Sequence, residues 1–178
     1  QKDAFALGVL GDEFISWGQP SSRGLEFKHN LDRLNQLGAT AKGDLTTALA
    51  GAVDKLNHSS IVMIISDFYA EVKELFQVLE KLFAERREVV LIRVLSPDER
   101  DLGFATPELF ADAESELKMV VRADLLRKEY QRRLHQHSLS LAEGVKSRGG
   151  DYLEIYTDES PEKSLTQYLR RRKSARGE

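Results

Sequence analysis

An α/β open sheet, mostly parallel, with one antiparallel edge hairpin and helices on both faces, is predicted by three observations. Ile61 to Ile65 and Val89 to Leu95 are apolar runs without polar alternation, the pattern of parallel strands covered on each side. Between them Val72, Leu75, Phe76, Leu79, Leu82 and Phe83 recur with helical period. A strand, a crossover helix and a second parallel strand therefore span Ser60 to Leu95, and the crossover is right-handed.

The other elements follow in chain order. Ala4 to Leu10 and Glu13 to Trp17 read as short strands around Gly11-Asp12, a dipeptide suited to a tight hairpin turn. Phe27, Leu31 and Leu34 draw an apolar stripe along a helix that ends at Leu37-Gly38. Asp44 is a helix N-cap, with Leu45, Leu49, Ala52, Val53 and Leu56 as the buried stripe behind it. From Pro97 to Arg122 the pattern weakens, although Leu109 to Ala111 and Leu117 to Val121 flank Asp112 to Glu116 like a small hairpin. Leu125, Leu126, Tyr130, Leu134, Leu141 and Val145 mark a long helix closing at Arg148-Gly149-Gly150. Tyr152 to Tyr156 is a strand, and Ser160 before Pro161 and Glu162 starts a last helix that turns Leu165, Tyr168 and Leu169 inward.

Composition narrows the class. The chain has 178 residues, 41% hydrophobic and 31% charged, with net charge −3, 12 Gly, 4 Pro and no Cys. Such a chain supports a packed core and excludes collagen-like and wholly disordered readings. Without cysteine there is no disulfide, thiolate metal site or Cys nucleophile. The longest apolar run, Ile61 to Ile65, is far shorter than a spanning helix, so the expectation is a cytoplasmic domain with no membrane insertion.

Ligands of open α/β sheets sit beyond the carboxyl ends of the strands. Here Ser66-Asp67, Ser96-Pro97-Asp98-Glu99 and Thr157-Asp158-Glu159 follow the strands, an oxygen-rich edge able to hold Mg²⁺. The same residue types are also ordinary caps and turn residues. His135 and His137 are two apart on a helix, on different faces, and solvated helix residues are the default. No basic residue is placed at a strand end. No nucleophile elbow, P-loop or dinucleotide fingerprint occurs. Arg170-Arg171-Arg172-Lys173 with Arg176 is a basic cluster without aromatic interleaving, more a frayed, solvated terminus than a nucleic-acid surface.

Asp3-Ala4-Phe5-Ala6-Leu7-Gly8-Val9-Leu10-Gly11-Asp12, Ile61 to Phe68, Val89 to Pro97 and Gly150 to Asp158, taken in order, resemble the bacterial domain of unknown function 58 family, which carries a von Willebrand factor A-like domain. The resemblance covers nearly the whole chain and implies a Rossmann-like von Willebrand factor A-type sheet. In such domains a cation is held by an Asp-x-Ser-x-Ser, a Thr and an Asp from three loops. Asp67 matches the third; the second is either interrupted, with Thr40 followed by Ala41-Lys42-Gly43 before Asp44-Leu45, or altered, with Gly43 in place of the Thr; the first is absent. The resemblance therefore implies a domain over 1–178 lacking its first strand and helix, with Mg²⁺ at most in an incomplete site. The strands at Ala4 to Leu10 and Ile61 to Asp67 then pair directly, exchange with a second copy, or rely on a further strand.

For function, the resemblance implies a non-enzymatic protein-interaction module working with a MoxR-type AAA+ ATPase in assembly or maturation of another complex. The competing reading is a Mg²⁺-dependent hydrolase or phosphotransfer domain using Asp67 as nucleophile or metal ligand, with Asp98 and Asp158 as further carboxylates. A nucleic-acid partner is not expected. Asp67 is expected at the carboxyl edge with Thr40 or Asp44 beside it.

Overall fold

A three-stranded parallel sheet organises the chain. The computed structural model describes residues 3–11, 14–16, 19–37, 43–56, 61–102, 108–111, 118–121 and 123–176. Strands β3 (Ile61–Ser66), β4 (Glu88–Leu95) and β7 (Asp151–Tyr156) lie in the order β3-β4-β7, all parallel. Their register aligns Ser66 with Arg93, Arg93 with Glu154 and Leu95 with Tyr156. This is the α/β open sheet of the sequence reading.

Two antiparallel hairpins stand apart from it. β1 (Gly8–Leu10) pairs with β2 (Phe14–Ser16), and β5 (Glu108–Ala111) with β6 (Lys118–Val121). The first hairpin is a sheet of its own instead of an edge joined to the main sheet, and β1 does not pair with β3.

The helices are α1 (Gly24–Gln36), α2 (Leu45–Val53), α3 (Val72–Ala84), α4 (Pro97–Asp101), α5 (Ala123–Lys146) and α6 (Pro161–Arg176). Asp44 caps α2, its carboxylate accepting from the Thr47 N–H at 2.7 Å. α2, α3 and α5 cover one face of the sheet. There Leu49 and Val53 of α2, Leu75, Phe76, Leu79 and Leu82 of α3, and Leu141 and Val145 of α5 enclose Ile64, Val89 and Leu91. α6 covers the other face, seating Tyr168 on Val90, Ile92 and Ile155. Arg172 near its end reaches back to Glu88 and to Asp151, the first residues of β4 and β7, so α6 runs antiparallel to the strands.

Three expectations are corrected. Among the described residues β3 is an edge strand covered on one face only: Ile61, Met63 and Ile65 are 54%, 54% and 64% exposed. A continuous apolar run fits cover on both sides, but cover depends on what the rest of the chain brings to each face. The stripe of Phe27, Leu31 and Leu34 on α1 is likewise exposed. The basic cluster is not a frayed end, because 170–173 are helical and the Arg172 guanidinium is held by two carboxylates.

Candidate functional site

The carboxyl edge of the sheet is built on a buried arginine. Arg93 is fully buried on β4, on the face packed by α5. A buried guanidinium demands partners. Its Nε donates to the Asp67 carbonyl at 2.8 Å and its Nη1 to Ser138 Oγ at 2.7 Å. The Glu154 carboxylate lies 3.8 Å from Nη1, and the Tyr69 ring centroid 5.6 Å from the guanidinium carbon. Nη2 has no hydrogen-bond acceptor among the described residues, so the facing aromatic ring completes its surroundings.

Glu154 collects three hydroxyls. Oε2 accepts from Ser138 and from Tyr152, and Oε1 from Tyr156, each at 2.7 Å. Partial burial alone pushes its pKa up, but the hydroxyls of Tyr156, Ser138 and Tyr152 and the charge of Arg93 together outweigh it. The net effect holds Glu154 below the usual carboxylate range. The tyrosines move the other way. Desolvation and then the bond to Glu154 push Tyr156 up to about 12 and raise Tyr152 as well.

This lattice fixes the loop after β3. Phe68 has φ +55°, a left-handed conformation that strains a bulky residue, and its ring is fully buried. Arg93 holds the carbonyl before it, and His137 Nε2, 2.9 Å from the Phe68 carbonyl, donates to that oxygen. Ser66 Oγ accepts from the Phe68 N–H at 3.1 Å, and Asp67 Oδ1 from the Tyr69 N–H at 3.2 Å. The loop thus turns Phe68 inward, while half of Tyr69 stays exposed. Desolvation, then a hydrogen bond with Tyr130, lifts the Tyr69 hydroxyl far above the ordinary phenol range.

The loops after β4 and β7 are tied to each other. Ser96 and Glu99 form a reciprocal capping box at the start of α4, with Ser96 N–H to Glu99 Oε2 at 2.6 Å and Glu99 N–H to Ser96 Oγ at 3.2 Å. Arg100 grips Asp101 through two nitrogens, reaches Asp158 at 3.4 Å and stacks 4.8 Å from the Tyr156 ring centroid.

Of the residues singled out from sequence, Asp67 is at the carboxyl edge, Asp44 caps α2, and Thr40 lies outside the described residues. Asp67 and Ser66 already spend oxygens on stapling their own loop. Among the described residues no three His, Cys, Asp or Glu side chains gather in a cation-binding group. Two expectations are corrected. A basic residue does stand near a strand end, since Arg93 binds the Asp67 carbonyl, although from within the core. His137 is partly buried and bonded instead of solvated. Arg93, Glu154, Ser138 and Tyr69 were missed; the signal for Arg93 was a single charge inside the apolar run Val89 to Leu95.

The family model described as "Protein of unknown function DUF58" matches residues 5–140. None of the curated proteins matches the chain. A solved structure, the conserved hypothetical protein BatB from Bacteroides thetaiotaomicron, is similar with a TM-score of 0.56 and 13% identity, over 96% of this chain and 80% of that one. An aerotolerance-related membrane protein from Bacteroides fragilis, solved with multiple mutations to serines, is similar with a TM-score of 0.54 and 12% identity, over 96% and 81%. At these identities the likeness concerns the fold. Among the described residues no helix is long and apolar enough to cross a membrane.

Proposed function

Because the chain belongs to the DUF58 family of proteins of unknown function, we propose that it is a non-enzymatic protein-interaction module whose contact surface is the carboxyl edge of its parallel sheet. The observation that carries this reading is the clamped loop at 66–69. Its backbone carbonyls are held from below by Arg93 and His137 while Tyr69 stays half exposed above them. A side chain presented on a prefixed backbone loses little freedom when a partner docks, which is what a recognition surface requires. Among the described residues Arg93, the cation that holds the Asp67 carbonyl, is fully buried, where a phosphotransfer site would need it at the surface.

The family resemblance supplies the partner class of this reading, a MoxR-type AAA+ ATPase, with the domain on the cytoplasmic side. The test is binding of the purified chain to such an ATPase in the presence of ATP, comparing Tyr69→Ala and Asp67→Ala with the parent. Loss of affinity by about tenfold or more for Tyr69→Ala, with an unchanged circular dichroism spectrum, is expected of a central contact. Absence of binding, or equal binding by both variants, refutes the reading. So does Mg²⁺-dependent hydrolysis of p-nitrophenyl phosphate that Asp67→Asn abolishes.

A further inference from the structure

α6 divides its residues between two faces. Tyr168 packs on Val90, Ile92 and Ile155, and its hydroxyl donates to Asp151 at 2.8 Å. One turn on, Arg172 donates to the Tyr168 hydroxyl and pairs with Glu88 and Asp151. Lys163, Thr166, Gln167, Arg170, Lys173 and Ser174 recur at spacings of three and four, draw a second stripe along the helix and are all exposed. That stripe lies on the side opposite Tyr168 and Arg172 and so faces away from the sheet.

The outer stripe is basic and uncompensated. From 163 to 176 the chain has six cations and no acid, although it is −3 overall. Among the described residues Lys163, Arg170, Arg171 and Lys173 enter no ion pair, whereas Arg100, Arg132, Arg148 and Arg172 each do. Arg170 and Lys173 stand one turn apart and repel each other. The inner contacts of Tyr168 and Arg172 hold the helix together there, so these cations keep helical spacing in spite of the repulsion. A fixed array of this kind loses little freedom when an anionic partner docks.

We propose that the outer stripe of α6 is a docking face for an acidic helix of a partner protein, laid along α6 so that carboxylates spaced by three and four residues meet Lys163, Arg170 and Lys173. Lys163 and Arg170 are two turns apart, about 10 Å along the axis, and Thr166 and Gln167 between them add uncharged hydrogen-bonding groups. A helix laid along another reads its residues at these spacings. The Arg170 guanidinium suits a carboxylate through two parallel N–H donors. The stripe has no apolar residue to sink into a bilayer and no aromatic residue to stack on a base. The rest of the chain is acidic and repels an extended polyanion, whereas a short acidic helix touches α6 alone. The stripe shares no residue with the 66–69 loop, so this proposal stands independently of the carboxyl-edge reading.

The probe is a fluorescent synthetic peptide of Ala and Glu with Glu at spacings of three and four on one helix face, compared with a peptide of the same composition whose Glu residues are spread around the helix. By fluorescence anisotropy at low salt, the patterned peptide is expected to bind the parent chain about tenfold or more tightly than the spread one, and to weaken as salt rises. The triple variant Lys163→Ala, Arg170→Ala, Lys173→Ala is expected to lose about tenfold or more in affinity. Lys28→Ala, Lys73→Ala, Lys128→Ala removes the same charge from exposed positions elsewhere and is expected to stay within about twofold of the parent. In the parent chain the peptide is expected to protect Lys163 and Lys173, but not Lys73, from acetylation read by mass spectrometry, which holds the test if the first triple variant fails to fold. Absence of binding and protection, equal binding of the two peptides, or equal loss in the two triple variants overturns the proposal. So does tighter binding of a short DNA duplex or of phosphatidylserine vesicles that the first triple variant loses, and so does low-salt self-association, seen by light scattering, that the same variant abolishes. The carboxyl-edge reading is tested through Tyr69→Ala and is untouched by each of these outcomes.

Discussion

Replacing Arg93 by Met tests whether the buried guanidinium, and not merely its bulk, holds the carboxyl edge together. Met fills much of the arginine stem but removes the donors to the Asp67 carbonyl and to Ser138. It also leaves Glu154 as a carboxylate without its cation. Breaking one side of a buried ion pair costs about 3–5 kcal/mol. The direct attraction at 3.8 Å is about 4 kcal/mol at an effective dielectric near 20. The Glu154 side chain keeps 22% of its exposure and three hydroxyl donors, so solvent screening reduces the coupling to about 1–3 kcal/mol. Urea unfolding followed by circular dichroism, for Arg93→Met, Glu154→Gln and the double variant, measures it. The double variant is expected to be less destabilised than the sum of the singles by that amount. Additivity within about 0.5 kcal/mol refutes the account. The pH dependence has a definite sign. Glu154 is held below its ordinary range in the fold, so its contribution is complete above that range and is lost as pH falls through the lowered value. Glu154→Gln therefore flattens the acid limb of the stability profile.

Two further outcomes follow from the geometry. Gly150→Ala places a Cβ 2.7 Å from the Val89 carbonyl and from a Val145 methyl, so a loss of about 1–3 kcal/mol is expected. Gly149→Ala meets open space but sits at φ +81°, so about 1 kcal/mol is expected from backbone strain alone; equal effects in urea unfolding refute the distinction. On alkaline titration followed by tyrosinate absorbance, Tyr156 ionises near pH 12 in the parent. In Glu154→Gln it ionises earlier, and because its folded pKa is raised, stability is full below the ordinary phenol pKa and falls as pH rises toward 12.

Local chemistry made most elements legible. Asp44 before Leu45 announces α2 through the cap it supplies, and Ser160 before Pro161 and Gly149-Gly150 after the long helix stand where α6 begins and α5 closes. Two apolar runs gave adjacent parallel strands. The cover over β3 was not legible, since five consecutive apolar residues say that both faces avoid water without saying what covers them. α4 was missed because its five residues, Pro97–Asp101, are too short to show a period; its capping box looked like loose acids at a strand end.

The site was half written in the sequence. Arg93 interrupts an apolar strand, and a lone charge there requires a partner on the same face of a neighbouring strand. Each charge stands two residues before its strand's last residue: Arg93 before Leu95, Glu154 before Tyr156. Aligning those strand ends brings the two charges opposite each other, and the register does so. That inference needs only the order β4-β7, which no local pattern supplies. Once the pair is in place, its consequence runs outward: Arg93 has a nitrogen left for the Asp67 carbonyl, the loop after β3 is held from inside, and Phe68 can stay in its left-handed turn with Tyr69 on the surface. The buried charges therefore act on the surface through backbone positions, and their loss would be felt first in the pose of the 66–69 loop.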